Sequence, residues 1–388
     1  MKIIHCADLH IDSSMETNLP REKAEQRKEE LITAFEKMVK FAVINDVQAI
    51  VIAGDLFDSE KTIKRDIRKR IFHTIRSNSD IKFFYLRGNH DNADFFSDFS
   101  ELPVNLKLFR SDRWNSFNIG DVCITGRETN VFSDKIYKEL TLDSSRINIV
   151  TMHGQLDNSM KITNQSLINK NSLKGKNIDY LALGHIHSFS EGKLDERGNF
   201  CYSGCLEGRG FDETGTKGFV LLEIDEKNRK IKPVFIKSSI RIIYKKNIDI
   251  TNLEFYSEIL DKILLEVRDV SESSLIKINL TGQVSEKAEV LVESFEKQLY
   301  ERFFYVKIFD ESETKIDYEK YRNDFSLKGE FVRLVESKNI SEKQKSFIIK
   351  SGRNRTCKFF FLTNVFVKDS ALKQPPEFLL DVVGQKYC

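Results

Sequence analysis

Seven side chains between residues 8 and 187 carry the donors of a metal centre: Asp8, His10, Asp55, Asn89, His153, His185 and His187. They stand in five short motifs: D-L-H (Asp8–His10), I-A-G-D-L-F-D (Ile52–Asp58), G-N-H-D (Gly88–Asp91), M-H-G (Met152–Gly154) and G-H-I-H (Gly184–His187). The set offers carboxylate oxygen, amide oxygen and imidazole nitrogen, and no thiolate. That mix suits manganese, iron or zinc better than a soft metal. Two such ions can share one bridging carboxylate, with Asp55 the natural centre, at about 3.5–4 Å from each other. A water between them loses a proton near neutral pH and becomes a nucleophile, while the ions neutralise charge on a phosphoryl group. The chain has no G-x-S-x-G elbow of a serine nucleophile. Each motif alone reads as a helix cap, a turn or surface histidines. Five in this order, each at the end of an apolar run, read as one site for phosphoester hydrolysis.

The elements that must position these residues follow from the apolar runs. Lys2–Ala7, Gln48–Ala53 and Ile81–Leu86 are short buried strands, and each runs into a motif. Between them, Glu22–Val43 and Lys61–Arg76 have helical spacing; Leu31, Ala34, Phe35, Met38, Phe41 and Ala42 form one stripe. Ile147–Met152 and Tyr180–Leu183 are later strands that end at His153 and at Gly184–His185. In α/β sheets ligands gather at the carboxyl ends of strands. Asp8 and His10, two apart, can point to the same side, and so can His185 and His187. Glycines flank four of the ligands and permit tight turns. Phe200–Tyr202, Gly218–Ile224 and Lys232–Ile236 are strands without helices between them. The expected fold class is therefore α/β (α+β), a layered β-sandwich flanked by helices. Of the seven histidines, His5 and His73 lie outside the motifs. His5 belongs to the first strand, and His73 is a surface or packing residue of a helix.

The chain has 388 residues, enough for two or three domains. We expect a phosphoesterase domain at 1–239, a smaller α/β capping domain at 240–309, a polar linker at 310–325 and a helical, basic segment at 326–388. Within the second, Leu253–Val267 and Glu286–Tyr300 read as helices and Leu275–Leu280 and Phe303–Ile308 as strands; Leu327–Val335 and Glu342–Lys350 are helices, and Phe359–Phe366 is strand-like before the break at Pro375–Pro376. No stretch approaches the roughly 20 apolar residues that span a bilayer, and the N-terminus lacks a signal-peptide pattern, so the expected location is cytoplasmic. Six dispersed cysteines suit reduced thiols. The net charge is only +2, yet residues 326–388 hold a local excess of +6. A nucleic-acid contact would therefore be local or shared with a partner.

The ordered motifs resemble those of the calcineurin-like metallophosphoesterases. The opening H-C-A-D-L-H-I-D and the G-D-L-F-D form are similar to the DNA-repair exonuclease branch that includes SbcD, and Tyr202–Gly218 is similar to its YhaO-type subfamily. The resemblance implies that Asp8, His10 and His187 hold one manganese and Asn89, His153 and His185 a second, with Asp55 bridging. It implies that His90 faces the scissile phosphate as general acid or transition-state donor. Archaeal relatives carry a second active-site histidine where this chain has Asp58, which here would orient a ligand from outside the coordination sphere. The implied activity is 3′-to-5′ exonuclease on double-stranded DNA with single-strand endonuclease activity, in DNA repair. The implied partner is an SbcC-like coiled-coil ATPase bound through the C-terminal segment. A small-molecule or nucleotide phosphodiesterase, and a DNA- or ATPase-binding scaffold with little activity, are the alternatives.

DNA contacts are weakly marked. Arg87, Arg110, Arg113, Arg127 and Arg209 lie near motifs or loops and are candidates for phosphate contact, with solvated surface charge as the competing reading. A homodimer through the Leu31–Ala42 stripe is weighed against packing of that stripe on the central sheet, which is preferred.

Overall fold

The structure, a computed structural model, describes residues 1–15, 19–58, 64–91, 101–162 and 164–353. It divides into two compact units. The first comprises Met1–Lys246, Asp269–Ile278 and Glu296–Lys307; the second comprises Asn247–Arg268, Asn279–Phe295 and the residues from Ile308 onward.

The first unit begins with β1 (Lys2–Cys6), α1 (Arg21–Ile44), β2 (Ala49–Ala53), α2 (Arg65–Arg76), β3 (Lys82–Leu86) and β4 (Leu106–Leu108). The four strands pair in parallel, β1-β2-β3-β4, so their carboxyl ends share one edge. Next come β5 (Asn115–Ile119), β6 (Val122–Gly126), α3 (Asp134–Glu139), β7 (Ile147–His153), the short pair β8 (Leu156–Asp157) and β9 (Ile168–Asn169), α4 (Lys170–Leu173), β10 (Tyr180–Gly184), β11 (Ser190–Lys193) and β12 (Asn199–Tyr202). These form a second six-stranded sheet in the order β11-β12-β10-β7-β6-β5. The chain then returns through β13 (Gly218–Asp225) and β14 (Lys230–Lys237), which close the first sheet beside β1 in antiparallel fashion.

Alternation along the strands builds three apolar layers. Ile3, Val51, Phe84 and Leu86 turn inward to meet Val122, Ile124, Ile149 and Ala182 between the sheets. Ile4, Ile50, Ile52 and Phe83 turn the other way, onto Phe35, Met38, Ile71 and Phe72 of α1 and α2. Val150, Leu181 and Leu183 cover the far face of the second sheet with Tyr137 and Leu173. Parallel strands buried on both faces need continuous apolar runs, which is why these segments read as unbroken hydrophobic stretches. The layered sandwich flanked by helices is the fold expected from the sequence. Ala34, Phe35, Met38 and Ala42 of the α1 stripe pack on the central sheet, the preferred reading, rather than offering a dimer surface. The helix read at Lys61–Arg76 is described from Arg65; residues 59–63 lie outside the described residues.

Beyond residue 240 the elements are β15 (Ile243–Asp249), α5 (Tyr256–Glu266), β16 (Leu275–Thr281), β17 (Gln283–Ser285), α6 (Val292–Tyr300), β18 (Tyr305–Asp310), β19 (Glu313–Lys315), α7 (Tyr318–Tyr321), α8 (Leu327–Glu336) and α9 (Glu342–Arg353). The sheet order is β15-β16-β18, and β17 pairs in parallel with β19. Two differences from the sequence reading have local causes. The helix expected from Glu286 begins at Val292, because Ser285 takes the Lys287 N–H on its hydroxyl at 3.2 Å and the Ala288 N–H on its carbonyl at 3.2 Å. Such side-chain bonds compete with a helix start. Residues 310–325, expected as a linker, carry β19 and α7, and Tyr321 is buried with Val332, Val335 and Ile348 of α8 and α9. The strand read at Phe359–Phe366 and the Pro375–Pro376 break lie outside the described residues. Among the described residues no helix is long and apolar enough to cross a membrane. Cys6, Cys123, Cys201 and Cys205 are buried free thiols.

Candidate metal centre

The loops after β1 and β2 run side by side beyond the sheet. Asp8 N–H donates to the Gly54 carbonyl, His10 N–H to Asp55 and Ile11 N–H to Leu56, each at 3.0 Å. This ladder sets Asp8, His10 and Asp55 within reach of one another. In the other sheet His153 pairs with Gly184, so β7 and β10 deliver their motifs together. Four ligand candidates have left-handed backbone: Asp8 (φ 55°), His10 (φ 44°), Asp55 (φ 51°) and His185 (φ 95°). Each such residue costs about 1–3 kcal/mol and persists only where its surroundings over-determine it. Here the hydrogen-bonded loops do so.

The sheets meet so closely that no side chain fits at two positions. A Cβ on Gly54, whose φ is +101°, would stand 2.1 Å from His153 Nδ1, and one on Gly184 would stand 2.0 Å from the Ala53 carbonyl oxygen. His153 uses this proximity. Its Nδ1 lies 2.9 Å from the Ala53 carbonyl oxygen, to which it donates, so Nε2 is the unprotonated nitrogen of the neutral ring. That buried Nε2 sits 3.2 Å from Asp55 Oδ2 without hydrogen-bond geometry. His10 Nε2 lies 3.7 Å from the same carboxylate oxygen and 3.3 Å from His187 Nε2. His187 Nδ1 is 2.7 Å from Glu213 Oε1, which fixes its other nitrogen as the one facing the centre. Asp8 accepts the His185 N–H on both carboxylate oxygens, at 2.8 and 3.0 Å. Asp8, His10 and His187 form one compact donor group, and Asp8, Asp55 and His153 another.

Two imidazole nitrogens 3.3 Å apart, and a third 3.2 Å from a buried carboxylate oxygen, form a donor set that fits divalent cations. The donor set is of oxygen and imidazole type, suited to borderline or hard ions. The ionisation of the ligands without metal shows the same strain. Burial pushes the Asp8 carboxyl up to about 6, against His153 and His187. Burial also opposes charge on Asp55, but His153 and His10 outweigh it and hold Asp55 well below the usual carboxylate range. Burial pushes His10 down to about 3.

Residues 1–189 match the calcineurin-like phosphoesterase family model. This part of the chain is a calcineurin-like phosphoesterase domain. Over 301 residues the chain is 25% identical to the uncharacterized metallophosphoesterase YhaO of Bacillus subtilis, covering 74% of this chain and 73% of that protein. It is 24% identical over 240 residues to the DNA double-strand break repair protein Mre11 of Aeropyrum pernix, covering 56% of each chain, so it spans just over half of that relative. Among solved structures it is similar to TT1561 of Thermus thermophilus, with a TM-score of 0.40 and 13% identity over 60% of this chain and 98% of that one.

Of the other sequence-derived candidates, His90, Asp58 and Arg209 lie beside this centre. Asn89 is exposed in the turn after β3, between Gly88 and His90. His90 has 44% of its side chain exposed, and its ring lies 5.0 Å from that of His10. Asp58 stands 3.6 Å from His90 Nδ1 and 3.4 Å from Arg209 Nη1, and one of its carboxylate oxygens lies within 4.8 Å of a ring nitrogen of His10. Asp91, the last residue of G-N-H-D, accepts the Gly88 N–H at 2.9 Å and the Phe57 N–H at 2.9 Å, locking the two motif loops together. His5 is a buried strand residue whose Nδ1 is 3.0 Å from Tyr180 Oη. Of the arginines read as phosphate contacts, four are ion-paired within the fold: Arg87 with Glu128, Arg110 with Asp112, Arg127 with Glu139 and Arg209 with Glu213 and Asp58. Sequence reasoning missed Glu213. Its only local signal is an acidic residue inside the glycine-punctuated stretch Tyr202–Gly218, and its nearness to His187 is purely spatial.

Proposed function

We propose that the chain is a metal-dependent DNA phosphodiesterase, acting as a manganese-dependent nuclease in DNA repair. The observation that carries phosphodiester chemistry is the convergence of Asp8, His10, Asp55, His153 and His187 at the joined carboxyl ends of both sheets, with the exposed His90 beside them. The similarity to Mre11, a DNA double-strand break repair protein, supports DNA as the substrate class.

Asp8, His10 and His187 would hold one ion, Asn89, His153 and His185 the other, and Asp55 both. When bound, two such ions supply Lewis acidity to a phosphoryl group and lower the pKa of a water. The protein's own part is positional. The Ala53 carbonyl keeps the His153 proton on Nδ1 and so keeps Nε2 free to ligate. The His90 N–H bond to Asp55 Oδ1, at 2.9 Å, places the His90 ring over the centre. That ring is open to solvent, so a duplex or single strand can reach it, and it donates a proton to the leaving oxygen or a hydrogen bond to the phosphate. Exonuclease polarity, single-strand endonuclease activity and an SbcC-like ATPase partner belong to the same proposal.

The test is a nuclease assay on end-labelled duplex and single-stranded DNA with manganese, magnesium or chelator, comparing wild type with His90→Ala. Manganese-dependent release of label that vanishes in His90→Ala is the expected result. Hydrolysis of small phosphodiesters with DNA left intact, with or without the ATPase, would overturn the DNA assignment.

A further inference from the structure

The phosphoesterase match ends at residue 189, yet two side chains beyond it touch the centre. We propose that Arg209 and Glu213 are positioning residues that join the ligand His187 to the Asp58–His90 pair, so that the loop from Ser203 to Lys217 completes the active centre. The inference rests on the metal-centre reading above.

Glu213 is buried, with 5% of its side chain exposed, and its carboxylate is shared among His187, Arg209 and, at 3.8 Å, the Cys205 thiol. Oε1 accepts from His187 Nδ1 at 2.7 Å and from Arg209 Nε and Nη2 at 3.1 and 2.8 Å. Oε2 accepts the Arg209 backbone N–H at 2.7 Å. A carboxylate on the outer nitrogen of a ligating histidine fixes the tautomer and ring orientation and raises ligand basicity. Arg209 extends the arrangement across the centre: Nη1 reaches Asp58 Oδ2 and Ser13 Oγ, each at 3.4 Å. Asp58 Oδ1 in turn lies 3.6 Å from His90 Nδ1. Arg209 thus directs its fork inside the protein, which makes it a positioning group rather than a phosphate contact.

The loop is itself anchored. Arg27, fully buried in α1, donates to Glu207 at 2.9 Å and to the Gly208 carbonyl at 2.5 Å. Lys217 Nζ donates to the His187 carbonyl at 2.8 Å. The clamp is therefore held from α1 on one side and from the G-H-I-H turn on the other, as a positioning role requires.

The experiment uses the full chain stripped of metal. Mn(II) is titrated by calorimetry into wild type, Glu213→Gln, Arg209→Lys and Arg209→Ala, and kcat and KM are measured with bis(p-nitrophenyl) phosphate. Glu213→Gln, nearly isosteric, is expected to weaken one of two Mn(II) sites by on the order of 10–100-fold and leave the other unchanged. Arg209→Ala is expected to lower kcat with KM near wild type, with kcat partly restored by millimolar guanidinium. Arg209→Lys keeps the charge but loses the fork; it is expected to share the kcat loss and carries the test if Glu213→Gln does not fold by its melting curve. Two wild-type-like Mn(II) sites in Glu213→Gln, or an Arg209→Ala effect on KM alone, would overturn this inference and leave the metal centre standing. Wild type that takes up no Mn(II) would overturn both.

Discussion

The backbone N–H of His90 donates to Asp55 Oδ1 across 2.9 Å. The loop bearing the exposed imidazole therefore hangs from the carboxylate at the middle of the centre. The two residues should separate cleanly by mutation. His90→Ala should keep Mn(II) binding and lower kcat by on the order of 10²–10⁴, the usual scale of a positioned acid or base. Asp55→Asn should weaken both Mn(II) sites and abolish turnover, since it removes a shared carboxylate. Calorimetry beside steady-state rates checks the pair; loss of metal binding in His90→Ala would make His90 a ligand instead.

Gly54 and Gly175 both have left-handed backbone, at φ +101° and +71°, but a Cβ meets His153 Nδ1 at 2.1 Å on Gly54 and nothing within 4 Å on Gly175. Gly175→Ala should cost only the conformational strain, about 1–2 kcal/mol. Gly54→Ala should cost a further 1–3 kcal/mol or so from overpacking, and should also reduce bound Mn(II) by displacing the imidazole. Denaturant melts and metal content of the two variants check this. Equal stability and equal metal content would remove the argument that the sheet-to-sheet approach at Gly54 sets His153.

Metal uptake should release protons. Burial disfavours the charged His153 ring, but Asp55 at 3.2 Å and then Asp8 outweigh it and lift the group to about 9 without metal. Burial likewise opposes charge on His187, and Glu213 outweighs it and raises the group. Ligation needs both rings neutral, so binding expels these protons. Apparent Mn(II) affinity should rise with pH until about 9 and fall on acidification. In the chelated protein, protonation of His153 stabilises the fold fully below its unfolded value near 6.5, and that contribution is lost as pH rises through about 9. Calorimetry in buffers of different ionisation enthalpy counts the protons; a count of zero at pH 7.5 would contradict the coupling.

Much of the centre was legible because it is built from strand ends. A strand buried on both faces is an unbroken apolar run, and the polar residue that ends it has to enter a loop at the sheet edge. Hence Asp8, Asp55, His153 and His185 could be placed before any fold was known. Glu213 and Arg209 were not legible in that way, because they meet His187 and Asp58 only through the return of the chain into β13. The contact of Asp58 with Arg209 was likewise not legible, because 151 residues separate the two in the chain. Residues 310–325 read as a linker from polar composition, which concealed the burial of Tyr321. Ser285 shows the limit of periodicity at a helix start: one hydroxyl bonded to the Lys287 N–H shortens the helix from its amino end.

His5 provides a test of the fold that is independent of the metal. It sits inside β1, fully buried, with Nδ1 3.0 Å from Tyr180 Oη. Burial pushes its pKa down from 6.5 to about 3. The folded state therefore keeps this ring neutral at pH values where the unfolded chain protonates it. The neutral form's contribution is intact above pH 6.5 and is lost progressively as the pH falls from 6.5 toward 3, at up to about 1.4 kcal/mol per pH unit. His5→Gln can still bond Tyr180 but has no proton to gain. It should melt less steeply with acid than wild type over that window, while being no more stable at pH 8. Thermal melts of both proteins from pH 8 to pH 4, with chelator present throughout, make the comparison; parallel curves would show that His5 does not govern acid stability.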